Sequence, residues 1–530
     1  MPDKEPKRLP LAVSPENRDE TTNRDAKLIN GYVEQVGENA FWVYKRPGLG
    51  VYSTVTAAQG LGVYNWLGDI YAIWGNKLYK NGVAVAGTVD TTGGVYTLDA
   101  CLGATPKLFL HNGVGAYCYD STNGLVAIPA SVFISATGRT SSGSAVITEM
   151  SSITGLVVGQ YVTGSGIPAG AKILTIDSST QITLDQKATA SKAGVELSFS
   201  NKGIVEARVK GAPYLDGTTY VMNASANIYG SGINDQTSWD PLNMLVAQIE
   251  PDAGVRLAKQ LVYVIAFKQW SVEVFYDAGN ATGSPLGPVQ GAKVNVGCKH
   301  QDSVRELDGT LFWISQARNG GVSVMAMEGL KASQVSTPAI ERLLQQADYS
   351  TVYSWAAKVA GHKYYAVTLP ASKLTLVYDV ISRRWYQWTD ANGNYLPIVS
   401  STFSADQQPL LQHASNGKIY KLEMTNTTDD GELITMDLYL PNYDGGTRLT
   451  KYLHSMDIVA DQTNGSLLQI RKSDDDYQTW SNFRTVDLGN ARPRLTQGGS
   501  FRRRAYHFRH ACNTPLRITS VEIQVELGTL

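Results

Sequence analysis

Cysteine is nearly absent, with four residues in 530, scattered at Cys101, Cys118, Cys298 and Cys512. No C-x-x-C pair occurs and no histidine stands nearby at ligand spacing, which excludes a zinc ribbon or a disulfide-stapled scaffold. The four thiols read as buried small hydrophobes of a chain made in a reducing cytoplasm. Long apolar runs are missing too. The longest is the seven residues Leu261–Phe267, against the roughly 20 that a membrane helix needs, so no membrane span is expected. The first twenty residues, MPDKEPKRLPLAVSPENRDE, hold no apolar core of secretory-signal length. Charge is sparse and balanced. Charged residues make up 18% of the chain, below the roughly 25% of an average soluble protein, and 46 Lys and Arg meet 47 Asp and Glu for a net charge of -1. A dedicated, high-affinity nucleic-acid binder would carry a basic surplus.

What is present is apolar, aromatic and glycine-rich: 43% hydrophobic residues, 28 Tyr, 10 Trp and 50 Gly. That composition can bury large cores and excludes general disorder. Almost all of it has strand periodicity. Tyr71–Trp74, Leu108–Leu110, Leu261–Phe267, Leu311–Ile314 and Tyr364–Leu369 are short, aromatic or β-branched, and bounded by turn formers. Asn81-Gly82, Asn112-Gly113, Asp216-Gly217, Asp308-Gly309 and Asn416-Gly417 stand where tight hairpins would turn. One helix is expected, capped by Thr337 and started by Pro338, with Ile340, Leu343, Leu344 and Ala347 on one face.

The strands repeat. GLGVY occurs at Gly48 and again at Gly60, and Leu-Asp-Gly-Thr at Leu215 and Leu307. Strands end in Tyr-Asp at Asp120, Asp277 and Asp379. The last two marks lie 102 residues apart, two units of about 50, whereas the first two lie 157 apart. The difference is an insertion. Residues 135–200 contain no Trp and a single Tyr, Tyr161, among dense Ser, Thr, Ala and Gly, yet they alternate as strands do. Without these 66 residues the interval falls to 91, again close to two units. The expectation is an all-β chain: a β-propeller of six or seven blades, interrupted by a small β module and followed by a C-terminal β-sandwich-like region. The divisions are a flexible N-terminal arm (1–27), propeller (28–134), inserted module (135–200), propeller (201–426) and C-terminal region (427–530). The arm holds 12 charged residues and several prolines, too polar to order except on a partner.

Catalytic patterns are missing. There is no G-x-S-x-G, no P-loop, no H-E-x-x-H and no complete G-x-G-x-x-G. No catalytic residue, cofactor site or metal site is expected. His507 and His510 would converge on a metal only on a helix; on a strand they face apart. Ser473-Asp-Asp-Asp-Tyr-Gln-Thr-Trp480 resembles the Asp-box hairpin of sialidase-type propellers through Ser473, Asp475, Thr479 and Trp480, with Tyr477 in the glycine position. The strongest charge feature is Arg492, Arg494, Arg502, Arg503, Arg504 and Arg509. Read as one strand, Phe501–His510 puts Arg502 and Arg504 on one face and Arg503 and Arg509 on the other. Such split charge suits a subunit interface or interdomain salt bridges, with DNA lining as the lesser alternative and a plain solvated face as the remainder.

Asn30–Glu34, Lys45–Gly48, Val272–Asp277, Leu307–Ser315, the Pro338–Gln346 segment and the Arg-rich strand closing on Ile523–Glu526 together resemble the tail nozzle, or packaged-DNA stabilisation, proteins of short-tailed bacteriophages. The resemblance spans roughly residues 25–130 and 200–530 and leaves out the module, whose Val162–Pro168 phrase is similar to small β modules of phage structural proteins. It implies a non-enzymatic propeller subunit, made in the host cytoplasm, that forms a homo-oligomeric ring of six in the virion tail. The ring would lie beneath portal and adaptor proteins, meet a tail needle, fibre or spike, and let double-stranded DNA pass through its lumen without sequence specificity. The alternative is a propeller-type phage tail protein that binds or cleaves glycans, suggested by the Asp-box-like turn and the abundant Trp and Tyr.

Overall fold

The computed structural model describes residues 7–11, 15, 25–37, 41–280, 283–318 and 320–528. Most of the expected arm, 1–27, lies outside the described residues. The chain divides into two compact units, one of Met1–Gly75, Tyr79–Val83 and Asp302–Leu530, the other of Asn76–Leu78 and Ala84–Gln301.

Apart from residues 133–200, the described residues from Gly48 to Glu423 form seven successive sheets, each built around four antiparallel strands. In the first unit one comprises Arg305–Leu307, Thr310–Gln316, Val322–Glu328 and Lys331–Gln334. The next comprises Tyr353–Val359, His362–Leu369, Leu374–Asp379 and Arg384–Gln387. A third comprises Ile398–Phe403, Pro409–His413 and Lys418–Glu423, and is completed by Gly48–Thr54 from the far end of the chain. Gly60–Trp66 and Asp69–Trp74 pair as a hairpin. The two GLGVY copies therefore have different tasks: one strand closes a sheet, the other opens one. The second unit holds sheets over Thr97–Ala127, Tyr214–Val246 and Gly254–Pro288.

The sequence repeats mark equivalent places in these sheets. Asp120, Asp277 and Asp379 each end a third strand, and each carboxylate accepts a backbone N–H two residues on, from Thr122 (2.9 Å), Gly279 (2.8 Å) and Ile381 (3.0 Å). Each short side chain closes an Asx turn that sends the chain into the fourth strand. Leu215 and Leu307 each end a first strand, and Asp216-Gly217 and Asp308-Gly309 turn with both φ angles positive, as does Asn81-Gly82. The helix forms over Pro338–Gln346 and buries Ile340, Leu343 and Leu344. Thr337 stands at its N-cap but its hydroxyl makes no capping bond.

Residues 133–200 form a sandwich of two three-stranded sheets within the second unit. Its first strand, Phe133–Thr140, pairs with its last, Lys192–Ser200, so that entry and exit are adjacent. Ile147, Val162, Ile173, Ile182, Leu197 and Phe199 fill its core.

The C-terminal region is built with strands from the start of the chain. One sheet runs Gly31–Gln35, Phe41–Lys45, Arg517–Leu527, Lys451–Ala460, Arg494–Phe501. Facing it, Lys27–Ile29, Met436–Tyr439, Ala505–His510, Leu467–Ser473 and Arg484–Asp487 continue the sheet of residues 353–387, through Ile29 opposite Gln387. Residues 28–45, expected to open the propeller, thus pair with C-terminal strands, because Leu28, Tyr32 and Val43 complete a core with Met436, Phe508, Ile518 and Ile523. Lys7–Arg8 lies along Glu522–Ile523 of the same sheet. Cys101, Cys118 and Cys298 are buried, and none of the four cysteines forms a disulfide.

Candidate functional site

Phe501–His510 does not form one strand. Arg494–Phe501 belongs to one sheet and Ala505–His510 to the other, so residues 502–504 make the crossing between them. The expected alternation fails at that bend, and each arginine has its own surroundings. Arg504 is fully buried and meets Asp474 as a fork, Nε to Oδ1 at 2.6 Å and Nη2 to Oδ2 at 2.9 Å. Its remaining N–H groups donate to the carbonyls of Gly498 (2.8 Å) and Ser500 (3.1 Å), and Phe501 covers it at 4.3 Å. Arg503 meets Asp476 at 3.2 Å. Arg494 forks onto Asp457 at 2.5 and 2.8 Å, with Arg492 on the same carboxylate at 3.2 Å. Arg509 donates to Asp437 at 2.7 Å. Arg502 is exposed. Five of the six arginines therefore have an acidic partner within the chain.

The Asp-box-like segment forms the turn that its sequence suggests. Asp475 accepts the Ser473 hydroxyl (2.8 Å), the Thr479 amide (2.9 Å) and the Thr479 hydroxyl (2.5 Å), and the Thr479 bonds hold its carboxyl down at about 2. Tyr477 adopts φ +66°, the left-handed backbone that the usual glycine would supply. Its ring is buried and its hydroxyl donates to the Leu440 carbonyl at 2.8 Å, which offsets the strain. Trp480 packs edge-on against Tyr439, Tyr477 and His507.

His507 is the centre of a polar chain. Burial pushes its pKa down despite Asp437, so the ring is neutral: Nε2 donates to Asp437 at 2.6 Å and Nδ1 accepts from Arg471 Nε at 2.8 Å. Tyr439 stacks on the ring at 3.9 Å, and the Arg471 guanidinium contacts Trp480 at 5.0 Å and Phe483 at 4.7 Å. His510 instead faces Ser466 and Thr514. Among the described residues no group of three His, Cys, Asp or Glu side chains is arranged to hold a metal.

Two further clusters escaped sequence reasoning, because their members lie hundreds of residues apart. Arg46 is fully buried and grips both Asp429 oxygens, Asn30 Oδ1 (2.9 Å) and the carbonyls of Pro47 and Thr389 (both 3.0 Å). Asn30, at φ +54°, donates in turn to Thr389 Oγ1 (2.8 Å) and the Thr435 carbonyl (2.9 Å). Next to it, burial and the Arg46 charge lower the Lys45 ammonium to about 8. In the second cluster His362 Nδ1 lies 2.8 Å from Asp379 and Nε2 3.4 Å from Glu34, against the rings of Tyr32 and Tyr364. Burial works against the charged ring, but the hydrogen bonds and charges of Asp379 and Glu34 outweigh it and raise its pKa.

The family model described as "Bacteriophage P22 Gp10, beta-propeller" matches residues 177–403. The resemblance to phage stabilisation proteins holds. The fold is accordingly a β-propeller with an inserted small β module and a C-terminal β-sandwich-like region. The phage-stabilisation match supports a structural, non-enzymatic role and a place in the virion. No curated protein matches the chain. Similar solved structures include the computationally designed Ika8 protein (11% identity, TM-score 0.32, 70% of this chain and 99% of that one). Others are YCF48 bound to D1 peptide (10%, 0.33, 74% and 99%) and BamB from Moraxella catarrhalis (11%, 0.31, 71% and 99%). TM-scores this low carry no inference about fold or function. The Asn30–Glu34 and Lys45–Gly48 phrases, which lie outside the matched stretch, are the ones that meet around Arg46 and His362. Among the described residues no helix is long and apolar enough to cross a membrane.

Proposed function

We propose that the chain is a subunit of a ring-shaped tail nozzle beneath the portal and adaptor. There it continues the DNA channel, retains packaged DNA and conducts it at ejection. The match of residues 177–403 to the phage-stabilisation propeller carries this reading. The distribution of charge supports it. A conduit must let DNA slide, and every phosphate neutralised by a free cation adds to binding and so to friction. Here the net charge is -1, and five of the six clustered arginines pair with four carboxylates of the same chain. Retention then comes from ring geometry and neighbouring tail proteins rather than from adhesion.

In this reading the ring is a hexamer, and the exposed Arg502 with its neighbour Arg503 contributes to the contact between subunits; Lys7–Arg8 and Lys27, part of the arm expected to order on a partner, pair instead with strands of their own chain. Light scattering of the purified chain, alone and with portal–adaptor complexes, tests it. The expected result is a ring-sized oligomer or a monomer that assembles on those complexes. A stable monomer that ignores them refutes the reading.

A further inference from the structure

The neck through which the module joins the second unit is stiff. Ile204 N–H donates to Pro129 O at 2.9 Å and Ser131 N–H to Ile204 O at 2.7 Å. The Asn201 side chain donates to Ala130 O (2.6 Å) and accepts from the amides of Val132 (2.9 Å) and Gly203 (3.0 Å). A Cβ on Gly203 would lie 2.4 Å from Ala130 O, so the two neck segments can pass only because that residue is glycine.

A cavity of about 380 Å³ opens beside this neck, within the range of about 300–1,000 Å³ that small-molecule sites occupy. Trp239 lines it and is fixed by bonds from its indole N–H to Gln236 O and from its amide to Lys202 O, both 2.8 Å. Tyr229 is half-buried, while Phe133 (55% exposed) and Leu242 (69% exposed) stand open to solvent. Glu206 and Asp240 also line it, and an ionised carboxylate only accepts hydrogen bonds.

The neighbouring surface is cationic. Ser200 lies opposite both Phe133 and Tyr161 in register, so these side chains share one face of the sheet. Tyr161 holds the ammonium groups of Lys172 and Lys202 at 4.7 and 4.2 Å from its ring centre. Among the described residues neither lysine forms an ion pair. Two like charges on one ring repel, and an anion near both relieves that repulsion. From Phe133 to Tyr161 is two strand spacings, about 10 Å.

We infer that this face is an oligosaccharide-binding site for an acidic glycan: Phe133 and Tyr229, backed by the buried Trp239, take the apolar face of a sugar ring, Glu206 and Asp240 accept from hydroxyls, and the Lys172–Lys202 pair receives a uronate-type carboxylate about two strands away. The span calls for an oligosaccharide rather than one sugar. A DNA duplex has no free sugar hydroxyls for Glu206 and Asp240 to accept from and would gain only two cations. The inference does not rest on the nozzle reading. A chain that assembles into rings but binds no sugar refutes only this site, and one that binds sugar without assembling refutes only the nozzle.

Calorimetric titration of the full chain with tetramannuronate, with neutral mannotetraose and with a short DNA duplex tests it. Tetramannuronate should bind at least about tenfold more tightly than mannotetraose. Phe133→Ala, at an exposed position, should weaken both tetraoses about tenfold, and K172Q/K202Q should abolish the preference while leaving mannotetraose unchanged. Circular dichroism of the variants should match that of the parent. Equal affinity for the two tetraoses, indifference to Phe133→Ala, no binding of either tetraose at millimolar concentration, or a DNA duplex that competes as well as tetramannuronate would each overturn the assignment.

Discussion

Replacing Asp474 by alanine leaves the guanidinium of Arg504 charged and without access to water, whereas replacing Arg504 by methionine leaves a carboxylate that water can reach. The exposures differ enough to decide the outcome: 0% for the Arg504 side chain against 44% for Asp474. In Asp474→Ala the guanidinium keeps two carbonyl acceptors, Gly498 and Ser500, but loses its counter-charge. Breaking a buried pair in this way costs about 3–5 kcal/mol. In Arg504→Met the carboxylate rehydrates and methionine fills much of the space beneath Phe501. The loss is then two carbonyl hydrogen bonds at about 1 kcal/mol each, roughly 2 kcal/mol. Asp474→Ala should thus be worse by about 1–3 kcal/mol, and the double variant should return to the level of Arg504→Met. A chain of several domains does not unfold in one step, so the assay is hydrogen exchange of peptides covering Arg494–His510, with exchange elsewhere as the internal control. If Arg504→Met opens this region more than Asp474→Ala, or if neither changes protection, the counter-charge argument fails.

Tyr477→Phe should cost about 1 kcal/mol through the lost bond to Leu440. Tyr477→Gly should lose roughly 2 kcal/mol net, because relief of the +66° backbone does not match the loss of a buried ring; thermal melts of both variants check the order. A histidine whose folded pKa is raised stabilises the fold fully below its ordinary value near 6.5 and loses that contribution as pH rises through the folded value. The stability difference between the parent and His362→Asn should therefore shrink with rising pH, and a difference independent of pH would show that the Glu34–His362–Asp379 contact does not titrate. Arg502→Ala should leave hydrogen exchange unchanged while weakening oligomer formation in light scattering; normal rings would remove Arg502 from the subunit contact.

Turn chemistry was the part of this fold most open to the sequence. Asp120, Asp277 and Asp379 announce the ends of third strands because a carboxylate that closes its own turn is a local device. The Pro338–Gln346 helix was open in the same way, through a short-range period of buried residues. Partnerships across the chain were not. Nothing around Asn30, Arg46 or Glu34 points to Thr389, Asp429 or His362, since each pairing follows from strand order. The arginine-rich segment shows the limit within ten residues. Alternation presumes a continuous strand, and the crossing at 502–504 turned an expected two-faced stripe into a buried strut, a surface pair and one exposed side chain. Tyr477 shows the converse: a residue that looked like a departure from the Asp-box adopts the glycine conformation and adds a buried ring.

Strands from residues 27 to 54 complete structures whose other members lie between residues 353 and 527. This arrangement bears on biosynthesis. The earliest of these segments leaves the ribosome while its partners are still untranslated, so its pairing edges must wait for most of the chain to emerge. Chaperone dependence should therefore persist in nascent chains that end before Arg517–Leu527, and release should coincide with translation of that strand. A stop that removed Arg517–Leu527 would leave Val43 and Tyr44 without their strand partners.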